Sequence, residues 1–370
     1  FGTVAWAGLL LVTALATLLV FGPAALWSLG LWAEPAEHQT GWHLLFHNLH
    51  YLPLMGTVLV WYVLVRELTG VVSIFGGRFS KLVFALYLVF VPPTSLYHMF
   101  LEPGLAPAVR ALGSILSLFV GVPTIAVFLI VTISLEAHAR ARGGHGLFGW
   151  LKTLPWHDPA MSAIGAAVVN LALGGVFAFV LIQERLAPLL SDTFFVPAYF
   201  HLLTVGTVTL TLLGALAHLV PALAGSALPA RAWLQRLPWL VSAALWVFAL
   251  AGVTAGLSGL PRRVIDAGYD AAAPSSWAVL PIFVALAGLV MAAGLLLYAG
   301  TLASAWLRPA SRERDVPPAA ASLAGPGTLA AAWSGPLAVL VLLLGMYAAT
   351  AIAFELMQAL PIAAAGGAGH

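Results

Sequence analysis

Long apolar runs dominate this chain and leave it few ways to fold. A helix needs about 20 mainly apolar residues to cross the hydrocarbon core of a bilayer. Nine stretches meet that requirement: 4–30, 43–66, 81–101, 109–136, 160–183, 195–223, 233–258, 277–306 and 333–359. The breaks between them are short and carry Pro, Gly and charge, as in EPAEHQ, RELTG, EPG, ARARGGHG, LPRRV and RPASRERD, which is how a chain leaves a membrane. Within lipid every backbone polar group must be satisfied internally. The expectation is therefore an all-α polytopic transmembrane helix bundle, with 1–370 as a single transmembrane domain. Charged residues make up 8% of the chain, against roughly 25% in soluble proteins, so a soluble globular domain is excluded.

Lys and Arg alternate by loop. Arg66, Arg78, Lys81, Arg140, Arg142, Lys152, Arg231, Arg236, Arg308, Arg312 and Arg314 fall on one side, and only Arg110, Arg185, Arg262 and Arg263 on the other. The positive-inside rule then puts the N-terminus in the cytoplasm and the C-terminus outside. Basic residues arranged in this way set orientation and do not advertise nucleic acid; the lipid bilayer is the expected partner.

The chain has no cysteine and eleven histidines. Iron–sulfur clusters, thiolate metal sites and covalently attached c-type haem are excluded, so a metal or cofactor would rest on nitrogen or oxygen ligands. His47, His98 and His201 each lie within about 10 Å of the outer end of a different span, at 1.5 Å per residue. Ionisable groups inside spans are costly and usually face the bundle interior with a partner. The segment WHLLFHNLHYLP places His43, His47 and His50 on one broad helix face, with Tyr51 a turn beyond His47. Imidazole suits copper, iron and zinc, though plain helix packing beside water also produces such a stripe. In VPAYFHLLTVG, Tyr199 and His201 are two residues apart and point about 200° apart, toward different neighbours. Arg262 and Arg263 form a pair at an outer helix end, suited to two carboxylates through bidentate bonds or to lipid headgroups.

The ordered motifs HNLHY, LYHMFLEPG, SLEAHARARGGHGLFGWLKTLPWHDPA, VPAYFHL and LPRR resemble subunit I of the haem-copper oxygen reductases, most of all the B-type cytochrome c oxidases. The resemblance covers essentially the whole chain, with the nine spans corresponding to the fifth helix onward of that fold. It implies a low-spin haem, and a high-spin haem facing a copper with three His ligands, one of them linked to a Tyr. His47 and Tyr51 match the His-x-x-x-Tyr pattern, Tyr51 being the catalytic candidate. The family's adjacent His pair falls on Tyr97 and His98, so one copper ligand is missing unless His43 or His50 substitutes. Its His-x-His falls on Tyr199 and His201: the low-spin ligand is kept and the high-spin position is a Tyr. The Asp and His that should anchor a high-spin propionate fall on Ala187 and Ser191, and Asp192 stands where Asn is expected. Arg262 and Arg263 match the family's paired arginines. Tyr51, Tyr62, Ser117 and Thr124 fall on positions resembling its proton path, with Val127 replacing a hydroxyl.

The resemblance thus implies a membrane protein of a prokaryotic respiratory complex in the cytoplasmic membrane, holding a low-spin b-type haem and passing electrons, with an altered oxygen-reducing centre and copper in question. The second low-spin ligand belongs to one of the four family helices without a counterpart here, so either a second membrane subunit supplies it or this chain is a fragment. A cytochrome c, a cupredoxin or a quinol would be the donor. The competing readings are an active terminal oxidase with unusual ligands, a cofactor-free scaffold, and a transition-metal transporter using His43, His47, His50 and His98.

Overall fold

A computed structural model describes residues 1–33, 38–71, 75–92, 94, 107–183, 186–263 and 273–308. Ten α-helices follow in order: α1 (Gly2–Ser28), α2 (His38–Thr69), α3 (Gly76–Phe90), α4 (Pro107–Ala141), α5 (Pro159–Leu181), α6 (Ala187–Leu190), α7 (Phe195–His201), α8 (Leu210–Ala224), α9 (Arg231–Leu257) and α10 (Ser276–Trp306). A 3-10 turn, Gly149–Thr153, lies between α4 and α5, and a π-helical segment, Leu202–Thr209, joins α7 to α8. Extended pairing among the described residues is confined to one antiparallel bridge, Thr193 to Pro261.

Among the described residues, seven helical stretches are long and apolar enough to cross a membrane: Gly2–Ser28, His47–Thr69, Ile115–Ala141, Pro159–Leu181, Phe195–Ala224, Arg231–Leu257 and Ser276–Trp306. Each coincides with an expected span. The expected span 81–101 is described only over its first part, in α3, and the expected span 333–359 lies outside the described residues. One expectation changes. The run 195–223 is not one regular helix, because the chain widens into the π-helical turn directly after His201. Pro53, Pro123, Pro221, Pro238 and Pro281 sit inside helices, as membrane helices tolerate when neighbours satisfy the freed carbonyls.

The described chain divides into two compact units. The first takes in 1–56 and 75–127. Its helices meet through polar contacts: Trp6 Nε1 donates to the Leu52 carbonyl at 2.8 Å, beside Gly56. Tyr87 and Thr124 bond hydroxyl to hydroxyl at 3.1 Å, tying α3 to α4.

The second unit takes in, among the described residues, 57–71 and those from 128 to 308. Its core joins Ala166 of α5, Leu202 and Leu210 around the π turn, Val241, Leu245 and Phe248 of α9, and Val284 and Met291 of α10. Lipid tails are as apolar as Leu, so helices in a membrane associate by close packing of small residues and by polar bonds. Gly252 and Gly256 supply such a surface on α9. A Cβ at Gly256 would lie 2.2 Å from the Phe195 backbone nitrogen, and one at Gly252 would lie 2.7 Å from Ala198 Cβ. These two glycines let α7 lie directly on α9. Trp61 adds a buried bond from its indole to Thr211 Oγ1 at 2.8 Å.

Candidate functional site

The start of α7 is fixed by its leading loop. Thr193 Oγ1 donates to the Leu190 carbonyl at 2.9 Å and accepts from Phe195 N at 3.3 Å, satisfying one of the free N–H groups that open a helix. Around the Thr193–Pro261 bridge, Phe194 N donates to the Leu260 carbonyl at 2.8 Å and Arg262 N to the Asp192 carbonyl at 3.0 Å. The sequence carrying the arginine pair is therefore stitched to the sequence carrying Tyr199 and His201.

His201 ends α7 half-buried, its ring centroid 4.7 Å from that of Phe248 on α9. Its Nδ1 lies 2.6 Å from the Pro197 carbonyl oxygen. A carbonyl only accepts, so Nδ1 carries the hydrogen, and in the neutral ring the lone pair is then on Nε2. Metal-ligating histidines characteristically use this arrangement, in which the bonded nitrogen fixes tautomer and ring orientation. Tyr199 leaves the helix on another side. It is buried among Leu181, Leu190, Phe195, Ala198 and Val253, with ring centroids 6.0 Å from Phe195 and 5.9 Å from Phe200. Ala187 and Ser191 face each other across one turn, the Ser191 hydroxyl donating to the Ala187 carbonyl at 2.6 Å.

Arg262 donates through Nη2 to Asp192 Oδ1 at 3.1 Å, while its Nε is buried with no hydrogen-bond partner among the described residues. Arg263 follows at φ +64°, a left-handed conformation uncommon outside glycine.

In the first unit, His47 is buried with its ring centroid 4.8 Å from that of Tyr51, one turn on in α2. Asn48 beside it is fully buried, with neither amide atom hydrogen-bonded among the described residues. His50 is exposed and Tyr51 half-buried. Ser117 is buried, and Thr124 holds the Tyr87 hydroxyl; Tyr62 belongs to the second unit and is half-buried. His98 and the side chain of His43 lie outside the described residues, so the expected grouping with His47 rests on positions the structure does not describe. Among the described residues no three His, Asp or Glu side chains gather as a metal site.

Two residues with clear structural work were not among the sequence candidates. Asp192 pairs with Arg262, and its identity had registered only as a departure from Asn. Asn170 on α5 bonds the π-helical turn and α9 together. A single amide inside an apolar run was the signal that could have found it.

Residues 1–307 match the family described as Cytochrome C and Quinol oxidase polypeptide I. Cytochrome c oxidase subunit 1 of Thermus thermophilus is 34% identical over 294 residues, covering 78% of this chain and 51% of that protein. The same subunit from Alkalihalophilus pseudofirmus is 26% identical over 266 residues, covering 61% of this chain and 38% of that protein. The chain thus spans about half or less of the length of these two curated relatives. A solved structure described as a heme-copper terminal oxidase dimer superposes with a TM-score of 0.78 at 23% identity, covering 94% of this chain and 62% of that one, which shows the fold. With the family match running through every helix described above, the chain belongs to the cytochrome c and quinol oxidase polypeptide I family.

Proposed function

We propose that this haem-copper oxidase subunit I-like membrane protein holds a low-spin, b-type haem on His201 and passes electrons within a multisubunit respiratory complex. The observation that carries the reading is the His201 imidazole, whose Nδ1–H is given to the Pro197 carbonyl and whose Nε2 is left as a ligand atom. A second observation supports the fit: the buried Arg262 Nε has no partner among the described residues, and a guanidinium so placed suits a carboxylate such as a haem propionate. Arg263 would serve the second propionate.

A bound haem would supply one-electron redox chemistry. This chain's own contribution is to fix the imidazole tautomer, to press Phe248 on the ring and to hold the arginines on a loop tied to the ligand helix. Tyr199, buried among apolar side chains, favours a packing role over that of a second haem ligand. The missing Asp and His at Ala187 and Ser191 point the same way, so oxygen reduction on this chain is the second reading, with copper at His47 and His98, and Tyr51 as the partner of His47.

The topology proposed with this function has nine spans in a single transmembrane domain, N-terminus in the cytoplasm and C-terminus outside, in a prokaryotic cytoplasmic membrane. A further ligand for the haem would come from a partner membrane subunit or from another helix of this protein. The donor would be a cytochrome c, a cupredoxin or a quinol, and Tyr62, Ser117 and Thr124 are proposed as hydroxyls on a proton path.

The test is a reduced-minus-oxidised visible spectrum of the purified complex. A b-type alpha band that disappears in His201→Ala is the expected result. An unchanged band in that variant, or a complex with no haem, overturns the reading, and stoichiometric copper lost in His47→Ala would favour the oxygen-reducing one.

A further inference from the structure

We propose that Asn170 is a positioning residue for the His201 imidazole, acting through the π-helical turn that follows it. Asn170 is fully buried, and its one amide makes three bonds. Nδ2 donates to the Gly206 carbonyl at 3.3 Å and to Ser242 Oγ at 2.8 Å, while Oδ1 accepts from Trp246 Nε1 at 2.8 Å.

Gly206 lies inside the π segment, where backbone bonds reach one residue further than in an α-helix and carbonyls fall out of α register. Asn170 takes up one of them. The approach is possible only at a residue without a side chain, since a Cβ at Gly206 would lie 2.6 Å from Asn170 Cγ. One turn earlier on α5, the Ala167 carbonyl accepts from Thr207 Oγ1 at 3.3 Å. The π turn is therefore sewn to α5 at two consecutive residues.

The other face of the amide is anchored on α9, through Ser242 and Trp246. Phe248, two residues past Trp246, is the residue that packs against the His201 ring. One side chain thus sets the π turn, and with it the end of α7, against the helix that bounds the imidazole. An α-helix turns about 100° per residue, so a relaxation of the extra residue would swing His201 relative to α8 by a large fraction of that angle. Packing alone would be served by an apolar residue of similar size; one bond to a π-turn carbonyl and two to side chains of α9 serve orientation.

This inference rests on the reading that His201 holds a haem, and the experiment separates the two. Low-spin ferric haem gives an electron paramagnetic resonance signal whose largest g value reports the orientation of its axial imidazole plane. In the purified complex, Asn170→Ala removes the contact from one side, and Gly206→Ala forces it apart from the other, so either suffices if one variant fails to assemble. Ser226→Ala removes a buried bond to the Ala305 carbonyl that involves neither Asn170 nor the π turn and is the control. The expected result is retained haem with a shifted largest g value in Asn170→Ala or Gly206→Ala and an unshifted one in Ser226→Ala. Wild-type g values in the haem-loaded variants, an equal shift in the control, or loss of haem with no shift to read, overturns the positioning role. A wild-type complex without haem, or a haem that survives His201→Ala, instead overturns the reading beneath it.

Discussion

Arg262 reaches across 70 residues of sequence to place Nη2 3.1 Å from Asp192 Oδ1, and leaves its Nε buried without a partner among the described residues. The two ends of this guanidinium have different surroundings. The Asp192 side chain is 88% exposed, and exposed ion pairs contribute about 0–1 kcal/mol. Asp192→Asn should therefore leave the unfolding midpoint in detergent almost unchanged. Arg262→Met keeps an apolar stem of similar length and loses the donors. It should weaken haem retention, measured as the rate of haem loss to a scavenging apo-globin. Equal effects of the two substitutions would mean that the exposed pair, and not the buried nitrogen, is what matters.

Tyr199 and His201 are separable because they leave α7 toward different neighbours, the first into the cluster with Phe195 and Val253, the second onto Phe248. Tyr199→Phe removes one oxygen from a buried ring and should change stability by no more than about 1 kcal/mol, the scale of a single polar contact. The haem spectrum should stay as in the wild type. Loss of a high-spin signal in that variant would instead assign an iron ligand to the phenol.

Gly256 carries the closest approach of α7 to α9, with a Cβ there falling 2.2 Å from the Phe195 backbone nitrogen. Backbone cannot rotate aside as a side chain can, so Gly256→Ala has to push the helices apart. Overpacking of this kind costs about 1–3 kcal/mol. The expected outcome is a lowered unfolding midpoint together with reduced haem content, since the displaced element is the one that ends in His201. Gly288→Ala, on α10 with 3.9 Å to the nearest Phe248 ring atoms, should leave both unchanged.

The spans were legible because twenty apolar residues in a row have few alternatives, and His201 was legible because an imidazole inside such a run is costly unless used. The π turn was not. Its segment LLTVGTVT reads as ordinary helix, and the side chain that bonds its Gly206 carbonyl is Asn170, 36 residues earlier on another helix. The pairing of Arg262 with Asp192 was hidden for the same reason: each residue had a local explanation, as headgroup contact or as a departure from Asn, and only the Thr193–Pro261 bridge brings the two loops together. Long-range polar contacts leave no periodic trace in sequence, whereas membrane crossing does.

The orientation proposed from the Lys and Arg count can be tested directly because the chain has no native cysteine, so a single introduced thiol is the only site for a maleimide. Leu147, 78% exposed, lies between α4 and the 3-10 turn, in the connection assigned to the cytoplasm. Ser275 is exposed at the start of α10, in the connection assigned to the outside. The two positions are separated by α5, the α7–π–α8 run and α9, three stretches long and apolar enough to cross a membrane, so they must report opposite sides if each crosses once. In intact spheroplasts a membrane-impermeant maleimide should label Ser275→Cys and leave Leu147→Cys unlabelled, and inverted vesicles should reverse the pattern. Labelling of both from one side would remove a span between them. The reverse pattern in spheroplasts would place the arginine-rich connections outside, against the positive-inside rule, and would put His201 near the cytoplasmic face.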